Sequence, residues 1–231
     1  MNRRIKRSGA LLSCCLWLLL CATGPARGEP PASGRQDNRV LAHVDVETTG
    51  LTPGYHEMID IGMIITDPDG VEIDRLFLRI MPDHPERLDP GAARVNGFSV
   101  ARWEELGHVS TTDAVRQIDE FVTRTAAGRQ VLFIAFNAWF DIAFVDHLFR
   151  SQDRSWRDLF HYFVLDLPSM AWSLGIRNLQ GAEIAATTGL EPETIDPLEH
   201  TGTTGVEFNV ALYRRLLKMG GVLLDGKAAA P

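Results

Sequence analysis

Beyond residue 21 the chain has no cysteine; its three, Cys14, Cys15 and Cys21, all lie near the start. A disulfide framework and a thiolate metal site are therefore excluded for everything downstream. Positive charge is also scarce, with 23 Lys and Arg against 30 Asp and Glu and a net charge of −7. Five of those basic residues (Arg3, Arg4, Lys6, Arg7 and Arg27) fall in the first 28 positions, which hold no acid, so the remainder is more acidic still. Such a body is unsuited to wrapping long duplex DNA by neutralising phosphates. It can still grip a short single-stranded end if metal ions supply the positive charge. Internal repeats are missing too, which excludes a solenoid.

The first segment reads as a leader. A basic start is followed by an apolar run, Ala10 to Thr23, and by Ala26-Arg27-Gly28 before Glu29. This is the layout of a secretory signal peptide over residues 1–28, and it predicts export, to the periplasm. Two other readings stay open: an uncleaved membrane anchor, for which the apolar run is short, and a cytoplasmic protein with a misassigned start. Residues 29–38, polar and rich in Pro, Gly and Ala, read as a linker. Residues 39–220 suffice for one globular domain with a substantial core, and 221–231 form a tail.

Within the domain, Arg39 to Glu47 and Glu57 to Thr66 read as strands. Pro68-Asp69-Gly70 is a tight-turn signature, and Val71 to Ile80 a returning strand. Short turns imply an antiparallel meander. Residues 82–107 read as loop with short helices. Ser110-Thr111-Thr112-Asp113 offers caps for a helix to about Ala126, stopped by Gly128. Gln130 to Phe136 is a near-continuous apolar run, the mark of a central strand buried on both faces. Trp139 to Phe149 reads as a helix, Phe163 to Leu167 as a short strand with Pro168 opening a helix, and Leu179–Thr187 and Gly205–Met219 as two more helices. The order predicts an α/β fold, a mixed five-stranded sheet flanked by helices.

Two patterns carry chemistry. Asp45-Val46-Glu47 closes the first strand before Thr48-Thr49-Gly50-Leu51. Residues i and i+2 of a strand share a face, so both carboxylates project together and repel. A divalent cation between them relieves that repulsion, and Mg²⁺ takes oxygen ligands while leaving room for a phosphate. An isolated D-x-E more often lies on a solvated strand face. The second pattern, Asn137-Ala138-Trp139-Phe140-Asp141, sits where the apolar strand gives way to a helix, and strand carboxyl ends are where open α/β sheets present ligands. Read alone, Asp141 is as readily a helix-start acid.

Together with His200 ahead of the last helix, these patterns resemble the DEDDh exonucleases, the family of the bacterial replicative polymerase's proofreading subunit, ribonuclease T and oligoribonuclease. The resemblance runs from about Arg39 to Met219 and implies a ribonuclease-H-like fold. It implies removal of nucleotides from the 3′ end of single-stranded DNA or RNA by two-metal hydrolysis, with Mg²⁺ or Mn²⁺. By position, Asp45 and Glu47 would hold the first metal, Asp45 would bridge to the second and Asp141 would act partly through water. His200 would be the general base, since histidine titrates near neutral pH. Thr48, Thr49, Gly50 and Leu51 would give backbone contacts and an apolar wedge against the terminal nucleotide. Asn137 and Phe140 complete the substrate side, Phe140 packing beneath the site.

The pattern breaks at one place. The family carries an aspartate five residues after the histidine, where this chain has Gly205; Gly202 replaces a small alanine, and Phe136 stands where a histidine often precedes the asparagine. Glu207 lies about 200° round the helix from the needed direction, and Glu199 approaches from the wrong chain direction. The expectation is an exonuclease weakened at one metal ligand; the alternative is a catalytically inactive nucleic-acid-binding or interaction module on the same fold. Other histidines read as non-ligands: His43 and His56 at a strand edge or loop, and His84, His108, His147 and His161 on the surface. Trp103, Trp139, Trp156 and Trp172 read as packing residues, Trp139 with a possible second role against a base.

Overall fold

The computed structural model describes residues 38–221; the expected signal peptide, nearly all of the linker and the tail after Gly221 lie outside the described residues. Three strands come first: β1 (Arg39–Thr48), β2 (Met58–Thr66) and β3 (Glu72–Arg79). Each pairs antiparallel with the next, as the short turns require. The Asp67 carboxylate fixes the β2–β3 turn by accepting from the Asp69 and Val71 N–H groups, and Gly70 takes its positive φ of 80°. Two short helices follow, α1 (Pro90–Asn96) and α2 (Val100–Leu106), then α3 (Thr111–Ala126), β4 (Gln130–Ala135), α4 (Ala138–Arg150), β5 (Val164–Asp166), α5 (Leu167–Ser173), α6 (Gly181–Thr188) and α7 (Gly202–Met219).

The sheet order is β3-β2-β1-β4-β5, with β4 and β5 parallel to β1. The expected ribonuclease-H-like mixed sheet is therefore present, with three adjustments. The apolar strand β4 is interior, and the centre belongs to β1. The stop of α3 begins at Ala127, itself left-handed with φ 50°, before Gly128. Helix α7 starts at Gly202, three residues early, capped by Thr201 and Thr204.

Alternation along β1 sorts the chain into layers. Val40, Ala42, Val44 and Val46 join a core with Ala114, Ile118 and Phe121 of α3 and Phe144, Val145 and Leu148 of α4. Leu41 faces the other way, into a core with Leu167, Ile184, Leu212, Tyr213 and Leu216 of α5, α6 and α7. His43, Asp45 and Glu47 share that second face by register. His43 is fully buried on the central strand, so it belongs to the interior and not to an edge. Trp103 is core as expected, donating to the Ile59 carbonyl at 2.8 Å. Trp139 and Trp172 are not: both are at least half exposed. Among the described residues no helix is long and apolar enough to cross a membrane.

One feature of the sheet makes room for a site. The β1–β4 ladder ends at His43–Ile134, after which the two strands part. The backbone of β1 past that point finds other partners: Asn209 Nδ2 donates to the Val44 carbonyl at 3.0 Å, and the Val46 N–H donates to Asp141 Oδ1 at 3.2 Å. A buried peptide group left unpaired would cost about 1–3 kcal/mol, so these two side chains stabilise the opening. The crevice thus lies at the carboxyl ends of parallel strands, where the neighbour of β1 changes direction.

Candidate active site

Three elements meet at this crevice. The end of β1 supplies Asp45 and Glu47. Glu47 is nearly buried and held twice: Oε1 lies 3.0 Å from His200 Nε2, and Oε2 accepts from Asn96 Nδ2 at 3.3 Å. The first turn of α4 supplies Asp141, buried against the Val46 N–H. The loop before α7 supplies His200, whose Nδ1 sits 2.8 Å from the Thr194 carbonyl. A carbonyl only accepts, so Nδ1 carries a proton and Nε2 is the nitrogen that faces the carboxylates.

The electrostatics are those of crowded acids. Asp45 is pushed well above the usual carboxylate range, first by burial, then by the charges of Asp141, Glu193, Glu47 and Asp60. Burial pushes Asp141 in the same direction, against the bonds from its own and the Val46 backbone N–H groups. His200 moves the opposite way, up to about 9, chiefly through its hydrogen bond to Glu47. As it stands, the imidazole is charged and paired.

Of the residues expected at the site from sequence, Asp45, Glu47, Asp141 and His200 do converge. Leu51, which follows Gly50 at the end of this segment, stands 79% exposed. Thr48 and Thr49 are buried, with hydroxyls engaged: Thr48 Oγ1 donates to the Gly50 carbonyl at 2.7 Å, and Thr49 Oγ1 accepts from the Glu57 N–H at 2.9 Å. Much of this backbone is engaged as well: the Thr49 N–H donates to the Glu57 carbonyl at 2.8 Å, its carbonyl accepts from the Asp89 N–H at 2.7 Å, and the Thr48 carbonyl accepts from Asn96 Nδ2 at 3.0 Å. Asn137 is exposed at the β4–α4 junction with a left-handed φ of 62°. Phe140 is half-buried and packs on Phe144, 4.9 Å between centroids.

Several participants escaped the sequence reading. Asp60, opposite Glu47 in the β1–β2 register, is fully buried and pushed up to about 7 by burial and by Glu47. Its Oδ1 accepts from the Gly202 N–H at 2.9 Å, while its Oδ2 meets no donor. A lone acid inside an apolar nine-residue strand was the available signal. Asn96 and Arg102 hold the site from outside. Arg102 Nη1 donates to the carbonyls of Asn96, Gly97 and Pro197, and Nη2 to that of Leu198, clamping α1 to the loop that carries His200. Glu193, on the same loop, lies 3.4 Å from His200 Nδ1. Asp166 caps α5 and accepts from the Ala138 N–H at 3.1 Å, steadying the start of α4.

Gly205 lies in the first turn of α7 against Asp45, and a Cβ built there would fall inside the Asp45 carboxylate. Gly202 similarly packs backbone to backbone on Gly62 of β2, where even an alanine methyl would collide with the Gly62 nitrogen. Glu207 points away, as its helical position predicted, and pairs with Arg75 of β3 at 2.7 Å. Among the described residues, no three acidic, cysteine or histidine side chains stand arranged as a ready metal cage. The acids are instead engaged with protein groups: His200 and Asn96 hold Glu47, the Val46 N–H holds Asp141, and Asp45 lies on Gly205.

Such a crevice on a ribonuclease-H-like sheet defines a nuclease of the DEDD type, and the chain belongs to the RNase T exonuclease family, whose model matches residues 43–171. The 3′-5′ DNA exonuclease Cap18 of Escherichia coli is 27% identical over 189 residues, 80% of this chain and 95% of that protein. Among solved structures, exonuclease I is similar with a TM-score of 0.63 at 15% identity, over 78% of this chain. E. coli exonuclease I in complex with a dT13 oligonucleotide matches with the same score at 17% identity. The chain spans about 41% of the length of exonuclease I, and at these identities the likeness bears on the fold alone.

Proposed function

We propose that the domain is a 3′–5′ exonuclease that removes nucleotides from the ends of short single strands, DNA or RNA, with Mg²⁺ or Mn²⁺ as cofactor. The observation that carries this reading is the meeting of Asp45, Glu47, Asp141 and His200 in one crevice. The direction is supported by Cap18, named a 3′-5′ DNA exonuclease and matched over nearly its whole length. The single-stranded substrate is supported by exonuclease I, whose structures hold dT13 and dA16.

The residues present suit a hard divalent cation. The donors are carboxylate oxygens, burial and mutual repulsion disfavour the charged forms of Asp45 and Asp141, and the neighbouring Asp60 has a buried oxygen without a donor. Asp45, Glu47 and Asp141 would hold the cation. Bound there, a divalent cation would supply positive charge that lowers the cost of forming the nucleophile from water and of the charge developing on the phosphate. His200 contributes a directed nitrogen: with Nδ1–H fixed on Thr194, Nε2 becomes an acceptor for the proton of the attacking water after its own proton has left to solvent, a loss favoured when the Glu47 carboxylate that holds that proton is drawn to a cation. Leu51 packs against the terminal base, the backbone of Thr48 to Gly50 lines its sugar, Asn137 offers an amide and Phe140 forms the floor.

We also propose that residues 1–28 export the domain to the periplasm; N-terminal sequencing of the secreted protein checks this, with Glu29 as the expected first residue. The activity is tested with a 5′-labelled single strand and Mn²⁺. Wild type should give a ladder shortened from the 3′ end, and Asp45→Ala and Asp141→Ala should leave the strand intact. Absence of shortening of both DNA and RNA strands in either metal overturns the exonuclease reading. Binding without shortening would support the end-binding module instead.

A further inference from the structure

Beside the acids, the loop that follows β1 builds a small surface of a different character. The loop folds back tightly: the Tyr55 and His56 N–H groups both donate to the Thr52 carbonyl, at 3.2 and 2.8 Å, and the Thr52 N–H donates to His56 Nδ1 at 3.0 Å. This lays the His56 ring on Gly50, where a Cβ would collide with the imidazole, so only glycine allows the approach. Tyr55 stands edge to face on that ring, 4.9 Å between centroids, and is still 54% exposed. The Arg87 guanidinium lies over the tyrosine, 5.3 Å from its centroid, and Nη1 donates to the Tyr55 carbonyl at 3.4 Å. The turn that carries Arg87 is pinned at both ends to the same segment. The His84 N–H donates to Glu57 Oε2 at 2.7 Å, and the Asp89 N–H donates to the Thr49 carbonyl at 2.7 Å.

In a chain of net charge −7, Arg87 is a cation without a carboxylate. Its neighbour Glu86 is taken by His84 at 3.0 Å, and Arg87 makes no ion pair among the described residues. An arginine left unneutralised on a half-exposed aromatic ring, a few residues from the exposed Leu51, suits bases joined by phosphates. Arg157 over Tyr162 is a similar pair, but it lies where the His161 N–H meets the Val131 carbonyl, at the amino ends of β4 and β5 and away from the crevice. We propose that Tyr55 and Arg87 form a second nucleotide position of this site, Tyr55 stacking a base and Arg87 holding a phosphate of the single strand behind the terminal nucleotide. The proposal rests on the single-stranded reading given above and extends it from the terminal nucleotide to the strand that follows. It also accounts for how so acidic a body grips a polyanion: the charge is local and already oriented.

The test is shortening of a 5′-labelled dT13 strand with Mn²⁺ over a series of salt concentrations. Tyr55→Ala should raise KM at least about fivefold with kcat little changed, and Tyr55→Phe, which keeps the ring, should restore most of the affinity. Arg87→Gln should raise KM roughly threefold or more at low salt and flatten the dependence of log KM on log salt by about 0.7, the loss of one phosphate contact on a single strand. Tyr162→Ala, an exposed aromatic beside an arginine at the other end of the sheet, should stay within about twofold of wild type. The proposal is overturned if Tyr55→Ala and Arg87→Gln leave KM unchanged, or if Tyr55→Ala lowers kcat alone. It is overturned equally if Tyr162→Ala raises KM as much, since any exposed ring would then serve. If wild type does not shorten dT13, the exonuclease reading falls. Fluorescence anisotropy of labelled dT13 then decides the proposal: both variants should weaken binding by the same factors, and binding equal to wild type, or none by wild type, overturns it.

Discussion

The two walls of the crevice are built from different material. On one side, Asp45, Glu47 and Asp141 project from β1 and the first turn of α4, and their backbones are locked by sheet pairing and by core residues such as Val44 and Phe144. On the other, Glu193 and His200 ride a loop whose neighbours Ile195 and Leu198 are 95% and 66% exposed. That loop is held largely by polar bonds to its own turns and to Arg102. The strand wall has its charges fixed at a cost, and on the loop wall His200 brings counter-charge to Glu47 while Glu193 adds to the repulsion on Asp45. Rigid placement of like charges stores repulsion, which the His200–Glu47 pair relieves in part.

The largest effect should come from the strand wall. Asp45→Asn removes a proposed ligand, so exonuclease activity should fall by more than about a hundredfold, beyond what loss of a supporting residue costs. The same change should raise the melting temperature in EDTA. Burial and neighbouring acids raise Asp45 above the usual carboxylate range, so at neutral pH its charge opposes folding, and an amide does not. A variant that loses both activity and stability would show that this wall is not strained.

On the loop wall, Arg102→Met releases the carbonyls of Gly97, Pro197 and Leu198, together with that of Asn96. Charge-assisted bonds of this kind, partly exposed here, suggest a loss of about 2–3 kcal/mol by urea unfolding. Proteolysis within residues 190–200 should quicken at the same time. Equal protection of the loop in wild type and variant would mean that Arg102 is not what holds it.

Two histidines set the pH dependence and separate the walls again. Burial lowers His43 to about 3, whereas the Glu47 carboxylate raises His200 to about 9. Neutral His43 suits its place: Nε2 is 3.2 Å from Thr66 Oγ1, and Nδ1 is buried with no donor. An unfolded histidine takes up a proton near pH 6.5 and the folded one does not, so stability is lost as pH falls from 6.5 toward 3. Between pH 7 and 5 this amounts to about 2 kcal/mol. Asp60, raised to about 7, acts in the other direction: its contribution is present at low pH and lost as pH rises through 7. The measurement is therefore a difference. The stability gap between wild type and His43→Gln should shift by about 2 kcal/mol between those pH values, and a constant gap would mean that His43 titrates normally.

The strand wall was legible in sequence because its signals are local. Alternation put Asp45 and Glu47 on one face, and the apolar run ending at Asn137 announced a strand–helix junction with Asp141 just inside it. The loop wall was not. Glu193 reaches the site through the fold of a loop with no periodicity, and Asn96 and Arg102 act from short helices distant in sequence. Asp60 was hidden differently, since one acid among Met58, Ile59 and Ile61 looks like noise until its burial is known. The glycine at 205 could be noticed from sequence as a departure, but not that the Asp45 carboxylate lies where its side chain would go.

The smallest effect concerns a residue that belongs to neither wall. Leu51 follows the strand, stands 79% exposed, and has little to contribute to the fold. Leu51→Ala should leave unfolding free energy within about 0.5 kcal/mol of wild type, as for most surface changes. As a wedge against the terminal base it would lose about 1 kcal/mol of apolar contact, near fivefold in KM for a single strand, with kcat little changed. A shift in kcat without one in KM would place Leu51 in the chemistry and not in the grip on substrate. The rigid wall would then extend past Gly50, and the line between the two walls would have to be redrawn there.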